Sequence, residues 1–237
     1  MNNLSERLLN EMQKNTKNGI YHLTQIKFAY NSNHIEGNTL THNQTKQIFD
    51  KAQFVTDGKA SVKMNDIYET VNHFEAFDFI LKNIDKKIDI SMMKKLHKIL
   101  KDKTSDEIIG DFKKRPNYIG EFTLTTHPKD VTKKLEKICE KYNSKNKISL
   151  NDIVEFHYNF EKIHPFEDGN GRVGRLLMFK ECLKWDITPF IIEDENKEFY
   201  YRGLKEYKNQ KGFLRDTCLL SQDNYSEIVR YFLEDKC

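Results

Sequence analysis

Apolar residues recur at helical spacing through most of this chain, and helix-interrupting residues are scarce: four prolines and ten glycines among 237 residues. Ile67, Val71, Phe74 and Leu81 would line one face of a helix, and Met92, Met93, Leu96, Ile99 and Leu100 a face of the next. Ser149 followed by Asp152 reads as a capping box with Asp in the position usually held by Glu or Gln. It opens a helix with an apolar face of Ile153, Phe156, Phe160 and Ile163, which Pro165 stops at the preceding residue. Val173, Leu176, Leu177 and Leu183 mark another helix beginning at or just after Asn170, and Asp216–Leu233 has the pattern of a terminal one. One stretch departs from this period. Tyr118–Thr125 is rich in β-branched and aromatic residues around a Gly120-Glu121 turn, the signature of a short β-hairpin. The expected fold class is all-α, a helical bundle core carrying one small hairpin, in one compact domain.

Composition narrows the function classes. Charged residues are 32 % and hydrophobic ones 38 %, the balance of a soluble globular protein. The formal net charge, 39 − 36 = +3, argues against nucleic acid as a partner, and Lys113-Lys114-Arg115 and Lys133-Lys134 read as solvated surface. No apolar run approaches the roughly 18 residues of a membrane span. The first residues, Met1 to Arg7, lack an apolar signal core, and the four cysteines have no metal-ligand spacing. Cytoplasmic localisation with free thiols is the expectation.

The chemistry concentrates in His164-Pro165-Phe166-Glu167-Asp168-Gly169-Asn170-Gly171-Arg172-Val173-Gly174-Arg175. His164 ends one helix and Gly169-Asn170-Gly171 opens the next. Free N–H groups at a helix start, with glycines that allow close approach, suit phosphate. Arg172 and Arg175, three apart, present two donor forks on one face. Asp168 could hold Mg²⁺, which takes few carboxylates and fills its shell with phosphate oxygens. His164 is the group suited to accept a proton near neutral pH. In-line displacement at phosphorus is the reaction this set supports.

The run resembles the signature of the Fic family, H-x-F-x-[DE]-G-N-G-R-x-x-R, with every fixed position matched, and the likeness extends over roughly residues 87–210. The resemblance implies an all-α Fic fold with a hairpin "flap" about residues 117–126. It also implies transfer of AMP from ATP to a Ser, Thr or Tyr hydroxyl of a target protein presented to that flap. His164 would be the general base and Asp168 the magnesium ligand. Gly169, Asn170 and Gly171 would hold phosphates, Arg172 would grip the transferring region and Arg175 the terminal phosphate. Phe166 reads as the apolar anchor of the loop. Tyr200, Tyr201 and Leu204 follow where the family often builds its adenine pocket, and read equally well as core. Residues 1–86 would form an N-terminal helical region packed on the core, and 211–237 a C-terminal helix.

Ser32-Asn33-His34-Ile35-Glu36-Gly37 resembles the inhibitory helix of the same family, [ST]-x-x-x-E-[GN], in its N-terminal arrangement. The resemblance implies that Glu36 pairs with Arg175 and holds the enzyme low, and Gly37 reads as a left-handed helix cap. Alternatives within this reading are removal of AMP using Glu36, another donor, or a regulatory nucleotide-binding module. Homo-oligomerisation is a further expectation.

Overall fold

The computed structural model describes residues 3–54, 61–120 and 123–234. Among these, the chain runs through α1 (Asn3–Lys14), α2 (Ile20–Ile35), α3 (His42–Lys51), α4 (Met64–Lys82), α5 (Ile90–Leu100) and the strands β1 (Tyr118–Ile119) and β2 (Thr123–Leu124). It continues through α6 (Pro128–Asn143), α7 (Leu150–Ile163), α8 (Asn170–Lys184), a 3₁₀ turn at Asp194–Asn196, α9 (Lys197–Glu206) and α10 (Lys211–Glu234).

Local chemistry sets the ends that matter. Ser149 Oγ accepts from Asp152 N while Asp152 Oδ2 accepts from Ser149 N at 2.8 Å, so the shorter Asp closes the capping box that opens α7. Helix α7 ends at His164, held left-handed at φ 51° ahead of Pro165. Helix α2 ends in a Schellman motif: the Asn38 N–H reaches Asn33 O at 3.1 Å and the Gly37 N–H reaches His34 O at 3.0 Å, with Gly37 at φ 90°.

Helix α8 is the axis of the bundle. Every residue from Arg172 to Leu183 is buried, because α2, α4, α5 and α7 pack around it. One core joins Leu4 and Leu8 of α1, Phe77 and Ile80 of α4, Phe160 of α7, Phe179 of α8 and Tyr225 of α10. The N-terminal and C-terminal helices therefore share the hydrophobic interior of residues 87–210, which is where most folding free energy of such a chain arises.

Helix α4 differs from its periodicity. Ile67 and Val71 face a small separate cluster of Ala29, Leu40, Ile48 and Phe74 under α3. The deeply buried face instead carries Asp66, Thr70, His73 and Phe77. Asp66 accepts from the N–H and the hydroxyl of Thr39, Thr70 donates to Asp66 O, and His73 faces the signature arginines. His73, fully buried, is pushed down to about 3 by burial and by the charges of Arg175 and Arg172.

The hairpin pairs Tyr118 with Leu124 and Ile119 with Thr123, antiparallel. The remainder of its expected turn, Glu121–Phe122, lies outside the described residues. No helix among the described residues is long and apolar enough to cross a membrane.

Candidate active site

The loop between α7 and α8 is built from its apolar anchor outward. Phe166 is fully buried and stacks on His97 of α5, with ring centroids 4.0 Å apart and planes 1° from parallel. His97 Nε2 lies 3.1 Å from Asp168 O and its Nδ1 accepts from the Gly110 N–H at 2.9 Å, which makes Nε2 the protonated nitrogen. Burial pushes this imidazole down to about 4, so it stays neutral while it holds the loop. Gly169 follows at φ 79°, a conformation that favours glycine, and no side chain caps α8. The first amides of α8 are left free of helical partners.

The side chain of Asn170 turns back into the loop. Its Oδ1 accepts from Phe166 N at 2.8 Å and its Nδ2 donates to Phe166 O at 3.0 Å. Both ends of the amide are engaged in bracing the loop ahead of the first turn of α8.

The two arginines, three residues apart on α8, face different partners. Arg175, 2 % exposed, donates from Nε to Ser32 Oγ at 3.0 Å and from Nη2 to Ser32 O at 2.8 Å and Glu36 Oε1 at 2.7 Å. Gly171 permits this seat: a Cβ there would lie 2.1 Å from Glu36 Oε1. Arg172 instead reaches Glu69 Oε1 of α4 at 2.7 Å and Asp168 Oδ2 at 2.8 Å. Lys101, following α5 and 2 % exposed, lies 2.8 Å from the same Glu69 oxygen and 2.5 Å from the same Asp168 oxygen. Two cations and two carboxylates thus close a ring. Burial works to raise the Asp168 carboxyl, but Arg172 and Lys101 overcome it and hold the group well below the usual carboxylate range.

Behind Arg175 lies a buried polar chamber. His157 of α7 hydrogen-bonds Tyr200 through Nε2 at 2.7 Å, and the Arg175 guanidinium lies 5.8 Å from the Tyr200 ring centre. Glu161 and His157 crowd Gly174, where a Cβ would meet Glu161 Oε1 and His157 Nδ1 at 2.7 Å each. Burial first, then the nearby Glu36 charge, pushes the Glu161 carboxyl up to about 8. His164 is pushed down to about 4 by burial and by the charge of Lys113, so its imidazole is neutral at physiological pH.

Lys113 ties the flap to the loop. Its N–H donates to Pro165 O at 2.9 Å, and its Nζ donates to Asn117 Oδ1 at 2.6 Å and Thr125 Oγ1 at 2.5 Å. The outer flap residues Tyr118, Ile119 and Leu124 are exposed.

The three residues expected to follow the signature near an adenine pocket have different surroundings. Tyr200 is buried on His157, Leu204 packs against the core, and the hydroxyl of Tyr201 donates to Ile35 O, the last carbonyl of α2, at 3.0 Å. Tyr201 therefore tethers the helix that carries Glu36. Glu69, Lys101, His97, His157 and Glu161 were not singled out from sequence. The available signal was a charged or histidine residue recurring on a buried helical face.

Among the described residues no three His, Cys, Asp or Glu gather as a metal cage. Asp168 fits a hard divalent ion: it is a carboxylate, its side chain is 51 % exposed, and both of its cationic partners land on Oδ2.

Residues 87–182 match the model of the Fic/DOC family. The chain is 30 % identical over 185 residues to the protein adenylyltransferase Fic of Drosophila melanogaster, covering 76 % of this chain and 37 % of that protein. The chain thus spans little more than a third of the length of the curated relatives it matches. A Fic domain containing signaling protein from Bacteroides thetaiotaomicron superposes with a TM-score of 0.73 at 23 % identity, covering 96 % of this chain and 90 % of that one. A Fic family protein from Desulfovibrio desulfuricans gives 0.76 at 23 % identity over 98 % of this chain and 75 % of that one. With the family model resting on the very segment that carries the histidine, the glycine-bearing turn and both arginines, this chain belongs to the Fic/DOC family.

Proposed function

We propose that this protein is a protein adenylyltransferase, acting in the cytoplasm, that moves AMP from ATP to a Ser, Thr or Tyr hydroxyl of a target protein and is held low by Glu36. The observation that carries the reading is a neutral His164 beside the uncapped start of α8, with Arg172 and Arg175 on the same helix.

The chemistry follows from these positions. A target segment pairs along the exposed flap edge, main chain to main chain. Its hydroxyl gives its proton to His164 as the oxygen forms a bond to the α-phosphorus. The bond from that phosphorus to the bridging oxygen breaks, and pyrophosphate leaves with the electron pair. The free amides of α8 and the arginines stabilise charge on the phosphoryl oxygens. Asp168 would hold Mg²⁺, whose chemistry when bound is neutralisation of phosphate charge.

Glu36 opposes this arrangement. Its carboxylate lies against Gly171 and occupies the guanidinium that a terminal phosphate would take. Like charge repels ATP there, and a nucleotide displaced by about 1 Å can react some hundredfold more slowly. A carboxylate at this place could also orient water against an AMP-modified protein, and the same experiment separates the two readings.

The test incubates wild type, Glu36→Gly and His164→Ala with Mg²⁺ and ATP labelled at the α or the γ phosphate. Label from α-ATP alone, strongest in Glu36→Gly and absent in His164→Ala, is the expected result. Label from γ-ATP would make the protein a kinase. Loss of label from a pre-modified protein, dependent on Glu36, would assign removal of AMP. No label change in any variant would leave nucleotide binding without transfer.

A further inference from the structure

Lys101 is the cation of the ring around Asp168 that the site chemistry above does not use. A lysine with 2 % side-chain exposure is costly unless anions surround it. Three carboxylates do: Glu69 Oε1 at 2.8 Å, Asp106 Oδ2 at 2.9 Å and Asp168 Oδ2 at 2.5 Å. Arg172 lies against two of the same oxygens, 2.7 Å from Glu69 Oε1 and 2.8 Å from Asp168 Oδ2.

The arrangement has a consequence for any ion on Asp168. One of its two oxygens already receives both cations. A divalent ion must approach the other oxygen, close to a fixed ammonium and a fixed guanidinium. The guanidinium is part of the family signature; the ammonium comes from the residue that caps α5 and lies outside it.

We propose that Lys101 is a positioning residue that holds Asp168 by Oδ2 and lowers the affinity of this carboxylate for a divalent cation. The inference rests on the reading of Asp168 as the metal carboxylate. Repulsion between a unit charge and a divalent ion sharing one carboxylate corresponds to about tenfold in affinity even where solvent screens the pair. The ring thereby ties metal binding to the arrival of phosphate oxygens, which supply the remaining ligands.

The test titrates nucleotide-free protein with Mn²⁺ and reads the free ion by electron paramagnetic resonance, a measurement independent of catalysis. Lys101→Met should tighten Mn²⁺ binding about tenfold, while Lys101→Arg, which keeps the charge, stays close to wild type. Should Lys101→Met fold poorly, Glu69→Gln carries the opposite expectation. With Glu69 neutral, both cations fall to Asp168 and Mn²⁺ binding weakens. Unchanged or weaker binding in folded Lys101→Met, or tighter binding in Glu69→Gln, overturns the role of Lys101. Asp168→Asn that leaves Mn²⁺ binding intact overturns the metal assignment of Asp168, and the inference with it. A separate titration of Glu36→Gly with a fluorescent ATP analogue isolates the nucleotide reading: absence of binding there, with the Mn²⁺ shifts present, sinks that reading and leaves the role of Lys101 standing.

Discussion

Arg172 and Arg175 lie three residues apart on one helix, are both almost fully buried, and are held in opposite ways. Arg172 sits in a closed ring with Glu69, Asp168 and Lys101, anions drawn from α4 and from its own loop. Arg175 depends on one carboxylate delivered by the last turn of α2, with a serine of the same helix beside it. Removing Glu69 from the ring leaves two buried cations short of a carboxylate, with Asp168 and, for Lys101, Asp106 remaining. Removing Glu36 strands one, and Ser32 still accepts from it. Glu36 is also 24 % exposed, against 13 % for Glu69. Ring and latch use the same chemistry, but only the latch can open at modest cost.

Four measurements test this contrast. The largest effect is expected from Glu69→Ala, which leaves Arg172 and Lys101 short of an anion; breaking a buried pair costs about 3–5 kcal/mol, read by urea unfolding. A loss near zero would mean that the ring is decoration. Glu36→Gln should cost less, about 2 kcal/mol at most, because Ser32 remains and the site is partly wet, while ATP binding and transfer rise. Equal losses in the two variants would erase the distinction between ring and latch.

The third prediction concerns pH. Glu161, pushed up to about 8 in the folded protein, ordinarily titrates near 4.5. The folded state therefore binds the extra proton, and stability falls as pH rises from 4.5 towards 8. His73, His97, His157 and His164 are all depressed, to between about 3 and about 4. They act with the opposite sign, but only below their unfolded value of 6.5, where stability is lost as pH falls. Between pH 6.5 and 8 Glu161 acts alone among these buried groups, with a slope of up to about 1.4 kcal/mol per pH unit. Glu161→Gln should flatten that segment of the stability curve; an unchanged slope would remove Glu161 from the argument. The smallest effect belongs to Tyr201→Phe. It deletes one hydrogen bond to the carbonyl end of α2, worth about 0.5–1.5 kcal/mol. The latch should loosen slightly, seen as faster amide exchange near Ile35 and a few-fold higher basal transfer.

Much of this was legible in the residues. Ser149 and Asp152 announce the start of α7, Pro165 its end, and the α8 signature stands whole in twelve consecutive positions. These are local instructions: a cap, a breaker and a glycine-bearing turn act through neighbours a few residues away. Tyr201 shows where legibility stops. Its spacing from the signature was legible, but nothing in the sequence shows that its hydroxyl donates to Ile35 O, 166 positions away. Asn170 is a subtler case, since its place in the loop was legible but the pairing of its amide with both backbone groups of Phe166 was not. On α4 the apolar period was visible while the inward polar face of Asp66, Thr70 and His73 was not, because periodicity registers hydrophobicity and not what a polar group will meet.

The amino-acid sequence alone determined the helical architecture, the family and which reactive side-chain types stand together in residues 164–175, because each is encoded by short-range spacing. Which anion meets which arginine was decided only by the tertiary structure. Glu36, Glu69 and Lys101 come from separate helices, and a charge has no partner until packing excludes water and brings those helices to within hydrogen-bond distance around α8.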